Sequence, residues 1–304
     1  MVDLSNNFIT SSGLVEIGDL WSKSIIDIAV DAGKKALDES TSNPDLIIIA
    51  NMFSSLSSNQ ENLGYVITDA LGLTGLPTFK IESGECSGAM ACHVANNLLK
   101  KDTFDSIMVI GVEKMYDLLP PKIIEALSIG ETYEFSQYFG ITPSAINGLL
   151  ARLYIDKYEI SRDELSSVPV LCHQNSKNSF HSQFKNSISS EIVERSPMIS
   201  DPLHLLDISA PADGAASVIL SNVKTSFING SLSFSEGTIV DIEIDGSAEL
   251  RRRITLIYRK NRLQSRAMIA LLDLLKEIYH FEYPNPGESI HSCWFRASSI
   301  RFGI

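Results

Sequence analysis

Residues 76–100 read LPTFKIESGECSGAMACHVANNLLK. The first eight, LPTFKIES (76–83), have the composition of a short strand, and the last thirteen, GAMACHVANNLLK (88–100), the apolar spacing of a helix. Between them Gly84-Glu85-Cys86-Ser87-Gly88 has to reverse the chain. Glycines there allow a sharp turn and let another molecule approach the backbone. Strand, tight turn and helix together form the unit of an α/β sheet with crossover helices. Whether Cys86 is a nucleophile at a helix mouth or an ordinary core residue decides the functional reading.

The flanking segments continue the alternation. SKSIIDIAVDAGKKALD (22–38) places Ile25, Ile28, Ala29, Ala32 and Ala36 at helical spacing, and PDLIIIAN (44–51) reads as a buried parallel strand. ENLGYVITDALGL (61–73) reads as a helix and FDSIMVIGVEK (104–114) as a strand. From about residue 115 the rhythm breaks, with Pro120-Pro121, two helices over 142–159 and 162–178, and a Ser- and Asn-rich surface excursion at 175–190. ADGAASVILS (212–221) then reads as a closing strand. Residues 231–248 have strand character, and LQSRAMIALLDLLKEIYH (263–280) has an amphipathic helical pattern.

Composition bounds the function. The chain has 304 residues, 44% hydrophobic and 20% charged, as in a folded globular protein of two domains or one large duplicated unit. A net charge of −12 argues against a broad nucleic-acid surface. No apolar run approaches the ~20 residues that span a bilayer, and the N-terminus lacks a signal-peptide pattern. Cys86, Cys92, Cys172 and Cys293 form no CxxC pair, which suits free thiols in a reducing cytoplasm. No HExxH or Cys/His cluster points to a metal.

Cys92 shares a helical stripe with Ala95 and Leu99 and reads as core. Cys86 instead meets unpaired N–H groups and the positive end of a helix dipole, which favour negative charge on sulfur. The same donors can stabilise an oxyanion on an acyl group attached there. The adjacent Glu85 opposes thiolate formation. His93 and His173 read as structural or solvated, Asp213-Gly214 as a turn into a strand, and Glu113-Lys114 as an ion pair or loop contact. Thr142-Pro143 reads as a helix start.

Several stretches together resemble the thiolase superfamily, especially archaeal and sterol-carrier-protein-type thiolases such as acetyl-CoA acetyltransferases. They are the Glu-x-x-Glu-Cys-Ser-Gly elbow (82–88), VIGVEKM (109–115), NMFSSLSSNQENLG (51–64), YFGITPSAINGLLARLYIDKY (138–158), CHQNSKNSFHSQF (172–184) and SDPLHLLDISAPADGAASVIL (200–220). They occur in family order over residues 1 to about 225.

The resemblance implies a layered αβαβα fold of two related halves. Residues 1–225 would form the N-terminal domain, with a loop insertion at about 115–200, and 226–304 a partial, divergent C-terminal domain. It implies reversible Claisen chemistry on coenzyme A thioesters without a further cofactor, with Cys86 as the acylated nucleophile. The elbow reads Cys-Ser-Gly where thiolases have Cys-Ala-Ser-Gly, a spacing similar to ketoacyl synthase III enzymes. The C-terminal family motifs are poorly matched: no Gly-His-Pro occurs, and IHSCWF (290–295) is only distantly similar to His-Asp-Cys-Phe. The expectation is an incomplete C-terminal half, truncated or read out of frame.

Three readings follow: a thiolase-type acyltransferase, a non-catalytic structural subunit of a larger acyl-CoA-handling complex, or a ketoacyl synthase III-like condensing enzyme. Family position places Tyr138 to Thr142 near a pantetheine tunnel, and Asp213-Gly214 near the active-site floor in a supporting role. It also implies a homodimer paired through the sheet edge, here expected from residues 104–114 with 77–83. Archaeal relatives associate with hydroxymethylglutaryl-CoA synthase through a small zinc- and OB-fold protein, which extends to this chain as an expected partner.

Overall fold

The computed structural model describes residues 7–101 and 103–222 in full, together with the backbone of two later strands. The chain divides into two compact units, one comprising Met1–Lys157 and Ser166–Asn229 and the other Tyr158–Leu165 and Gly230–Ile304. The first contains a five-stranded mixed sheet. Its strands are β1 (Phe8–Leu14), β2 (Leu46–Ala50), β3 (Thr78–Ile81), β4 (Ser106–Glu113) and, after two short strands, β7 (Gly214–Ser221). Their order across the sheet is β1-β7-β4-β2-β3. β3, β2 and β4 run parallel, while β7 is antiparallel to both β4 and β1.

Helices cover both faces. α1 (Ile25–Glu39) starts at a capping box, in which Ser24 accepts from the Asp27 amide and the Asp27 carboxylate accepts from the Ser24 amide. All five residues that set its expected stripe, Ile25, Ile28, Ala29, Ala32 and Ala36, are buried. They pack with Ile47, Ile49, Met108, Ile110 and Ile219 on one face of the sheet, and Leu63 and Ile67 of α3 (Leu63–Ala70), which follows the single-turn α2 (Ser54–Ser57), complete that core. A fully buried isoleucine contributes about 1.5–3 kcal/mol. A Cβ on Gly13 of β1 would lie 2.1 Å from the carbonyl oxygen of Ala32, so this strand and α1 meet backbone to backbone. On the opposite face, Ala91, Ala95 and Leu99 of α4 (Ser87–Leu99) pack on Leu46, Ile48, Ile107 and Val109. The described part of this unit is therefore an α/β/α sandwich.

The excursion between β4 and β7 holds α5 (Pro120–Ser128), a π-helical turn (Tyr133–Gln137), α6 (Pro143–Tyr158), α7 (Arg162–Ser176), α8 (Ser190–Arg195) and the paired short strands β5 (Met198–Ser200) and β6 (Leu203–His204). α6 approaches β5 closely, since a Cβ on Gly148 would lie 2.4 Å from the Ser200 hydroxyl. In the second unit, β8 (Gly237–Glu243) and β9 (Arg253–Arg259) form an antiparallel pair. The helix expected over 263–280 and the IHSCWF stretch lie outside the described residues.

One expectation is corrected. β4 lies between β7 and β2, so residues 104–114 do not form a sheet edge. Among the described residues, β3 is the outer strand beyond β2. The two strand runs differ because β7 returns from about a hundred residues downstream to occupy the flank of β4, a pairing without a local sequence signal.

Candidate active site

The C-terminal ends of β3, β2 and β4 lie side by side: Ala50 pairs with Ile81 on one flank and with Gly111 on the other. Ligands of α/β sheets bind beyond such strand ends, where loops diverge and backbone groups face outward. Here the loop after β3 carries Cys86, the loop after β2 carries Asn51–Phe53, and β4 ends in Glu113.

The elbow is held by its own backbone and by one hydroxyl. Gly84 has φ +56°, a left-handed conformation that glycine adopts without strain. Its amide donates to the Glu82 carboxylate. Ser87 Oγ donates to the Gly84 carbonyl at 2.6 Å and accepts from the Ser83 amide at 2.9 Å, bracing both ends of the turn. Cys86 is the N-cap residue of α4, with its thiol exposed.

The elbow's donors are more restricted than the sequence suggests. The Cys86 amide donates to the Ser83 carbonyl at 3.1 Å and the Ser87 amide to the Gly84 carbonyl at 3.2 Å. The first-turn amides of Gly88 and Ala89 precede any intrahelical acceptor, so they are the donors available to an anion here.

A cavity of about 420 Å³ opens beside the elbow. Gly84, Glu85, Ser87 and Gly88 line it from the elbow, Asn51 and Phe53 from the loop after β2, and Glu113 from β4. Neither Gly84 nor Gly88 has anything within 4 Å of where a Cβ would stand, so their missing side chains leave open space. Asn51 is buried and braces the floor: its amide donates to the Val112 carbonyl at 2.9 Å and its oxygen accepts from the Ser54 amide at 3.0 Å.

Glu113 uses one carboxyl oxygen to accept from the Met52 amide. The other, Oε2, is buried without a hydrogen-bond partner. Burial pushes this carboxyl up from its ordinary range. The amides of Met52 and Phe53, the charge of Lys80 and the Asn51 side chain act in the opposite sense without cancelling it.

Asp213 is fully buried and is no mere turn residue. Oδ1 accepts from the amides of Met115 and Tyr116, both at 2.8 Å. Oδ2 accepts from Lys114 Nζ at 2.9 Å and from the Leu20 amide at 3.3 Å. Burial pulls the Lys114 ammonium down, but Asp213 and Asp117 outweigh it, and its pKa lies above the usual lysine value. This cluster ties the segment after β1 and the end of β4 to the start of β7, forming one wall of the cavity.

The other singled-out residues lie elsewhere. His93 bonds Asn97 one turn along α4, and His173 contacts the Asn186 carbonyl and stacks on Phe184. Cys92 is half-buried in the α4 core, which pushes its thiol up. Thr142 Oγ1 accepts from the Ala145 amide and so caps α6, while Tyr138 and Phe139 are exposed and do not line this cavity. Cys172 is exposed on α7. His291 and Cys293 are outside the described residues. Among the described residues no cluster of three or more His, Cys, Asp or Glu could hold a metal ion.

Residues 8–224 match the family model described as thiolase, N-terminal domain. The acetyl-CoA acetyltransferase of Methanothermobacter thermautotrophicus is 32% identical over 208 residues, 67% of this chain and 54% of that protein. The chain thus spans about half the length of that relative. Among solved structures, the acetyl-CoA acetyltransferase from Syntrophomonas wolfei has a TM-score of 0.54 at 18% identity, covering 71% of this chain and 64% of the other. A structure titled Ltp2-ChsH2(DUF35) aldolase gives 0.59 at 17%, covering 71% and 56%. At these identities the structural likenesses speak for the fold alone.

Proposed function

Since this chain belongs to the thiolase family through its N-terminal domain, we propose that it is an acyl-CoA acyltransferase working through a thioester on Cys86, with acetyl-CoA as the foremost acyl donor. The Cys86 thiolate attacks the thioester carbonyl, and the carbon–sulfur bond to coenzyme A breaks as its thiolate leaves. A second acyl-CoA, deprotonated next to its carbonyl, then displaces Cys86 and forms a 3-ketoacyl-CoA. In reverse, coenzyme A cleaves the 3-ketoacyl-CoA.

The observation that carries this reading is the exposed Cys86 thiol at the N-terminus of α4, next to a cavity at the ends of three parallel strands. The free amides of Gly88 and Ala89 suit charge developing on a bound acyl oxygen, and one such donor is typically worth ~10²–10³ in rate. Condensation also needs a base and donors for the enolate oxygen, groups that the family resemblance assigns to C-terminal motifs. Acylation and condensation are therefore separable in this chain.

The test is to incubate the protein with acetyl-CoA and follow its intact mass alongside a thiolysis assay with acetoacetyl-CoA. An acetyl adduct that maps to Cys86 and is absent from Cys86→Ala is the expected result. No adduct, or an adduct unaffected by that substitution, overturns the reading.

A second reading, a thiolase-like subunit that binds acyl-CoA without turnover, is favoured by the Cys86 amide, which is already engaged by Ser83. An adduct with no measurable thiolysis supports it. We propose homodimerisation along β3, the outer strand next to the elbow, where Phe79 is 38% exposed. The hydroxymethylglutaryl-CoA synthase association and a cytoplasmic location remain proposals on the family resemblance.

A further inference from the structure

The register of the sheet gives the cavity beside the elbow its floor. Ala50 on β2 pairs with Gly111 on β4, and Gly111 pairs with Ala216 on β7, so three small residues stand in one row across three neighbouring strands. All three line the cavity. Two residues away along each strand, Ile48, Val109 and Val218 belong to the core under α4, which puts the row on the same face, beside the start of that helix. Ala216 is exposed and Gly111 partly so. A Cβ on Gly111 would meet nothing closer than the Ala216 carbonyl oxygen at 4.0 Å, so the space above the floor is open.

The row begins beside Ile81, the last residue of the strand that leads to Cys86. At the far end stands Ile17, another lining residue. It rests on Gly214, two positions before Ala216 and on the same face of β7: a Cβ there would lie 2.2 Å from Ile17 Cδ1.

The geometry points to this row as the floor of an acyl-chain trough, in which the alkyl chain of a coenzyme A thioester held at the elbow runs across β2 and β4 toward β7 and Ile17. Neighbouring strands lie ~4.8 Å apart, so the steps from β3 through β2 and β4 to β7 span ~14 Å. An extended chain covers ~3.3–3.6 Å per three bonds, which makes that distance roughly twelve bonds long. An acetyl group fills only the elbow end. The floor side chains hold no polar atom, so the amides of a pantetheine arm would lie unpaired over them, whereas an alkyl chain loses nothing there. Gly111 and Ala216 are then specificity-determining residues, because a larger side chain at either position stops the alkyl chain.

This inference rests on the reading of the cavity as an acyl-CoA site, and widens the acyl group from acetyl to linear chains of up to roughly ten carbons. It does not depend on Cys86 being the nucleophile.

The probes are thioethers of coenzyme A carrying ethyl, hexyl or decyl chains, which have no carbonyl to acylate a thiol. Their dissociation constants are measured by calorimetry on the full chain, below the concentration at which the probes form micelles. A fully buried methylene is worth ~0.8 kcal/mol, about a fourfold fall in dissociation constant, and one lying half-exposed in an open trough about twofold. The constant should therefore fall at least tenfold from ethyl to hexyl and again from hexyl to decyl. Gly111→Leu projects into the open space over β4 and should remove the hexyl-to-decyl gain. Ala216→Leu, one strand further from the elbow, should leave more of that gain than Gly111→Leu does.

An affinity independent of alkyl length in the unaltered chain overturns the inference whether or not either variant folds, as does no binding of any thioether. A length dependence that both substitutions leave intact overturns it too, since the chain then lies elsewhere. Failure of the Cys86 reading is distinguishable, because it removes the acetyl adduct and leaves the thioether series unchanged.

Discussion

Asp213→Ala is the most informative single perturbation of the scaffold. The substitution removes a fully buried carboxylate that accepts from three amides and one ammonium. Lys114 would stay buried at 6% exposure, with the half-exposed Asp117 and the Leu20 carbonyl as its remaining partners. Breaking a buried ion pair from one side costs about 3–5 kcal/mol, and the stranded Met115 and Tyr116 amides push toward the upper end. We take about 4 kcal/mol, a large share of the ~5–15 kcal/mol total of a typical domain. Asp213→Asn keeps one acceptor oxygen but turns an amide N–H toward Lys114, and should cost about 2–3 kcal/mol.

The assay is urea unfolding followed by Trp21 fluorescence in a Trp294→Phe background. Trp21 follows Leu20 and packs edge-on against Tyr116 with ring centroids 6.0 Å apart, so it reports on this cluster. Replacing both partners, in Asp213→Asn with Lys114→Met, should cost less than the sum of the single changes because the uncompensated charge is gone. A loss below about 1 kcal/mol for Asp213→Ala, or strict additivity of the pair, would refute the reasoning.

The other predictions concern the elbow and the same lysine. Limited iodoacetamide treatment with peptide mapping should label Cys86 before Cys92, whose thiol is half-buried, and before Cys172, which lies near the negative end of α7; faster labelling of either competitor removes the elbow argument. Ser87→Ala deletes the hydroxyl that bridges Ser83 and Gly84 and should lower stability by about 1 kcal/mol while slowing Cys86 acylation more than labelling at Cys172. Equal slowing at both cysteines would count against a local effect. Lys114 has its folded pKa raised, so its contribution is complete below the unfolded value of about 10.4 and lost as pH rises through the higher folded value. Stability should therefore fall at strongly alkaline pH in the unaltered chain, and Lys114→Met should lack that component.

Residues with a strong local period were readable in advance. α1 carries five apolar positions at helical spacing, and LIIIA of β2 is buried along its whole length. β1 was not recognisable, because FITSSGL turns Ser11 and Gly13 inward, where close contact with α1 favours small residues over apolar ones. α5 was hidden by Pro120-Pro121, which marked a break in the rhythm but also begins a helix, where a missing N–H costs nothing. At the site, Cys86 stood out through its turn chemistry. Asp213, Asn51 and Glu113 did not, because their roles depend on backbone amides and carbonyls brought in from other strands. A short Asx-Gly step before a strand reads as a turn whether or not distant N–H groups converge on it.

The position of β7 has a consequence for how this protein is made. Among the described residues β1 hydrogen-bonds to β7 and has no other strand neighbour, and their register joins Phe8 to Ser221. During synthesis the first strand therefore waits for about 200 further residues, or ~10–40 s at ~5–20 residues per second. For that interval the outer flank of β4 is also unpaired, and both open strand flanks are available to other chains. Slow, non-local pairing of this kind exposes a nascent chain to mispairing. Synthesis paused between β4 and β7 should thus leave a species dependent on chaperones, whereas release after residue 221 allows the sheet to close.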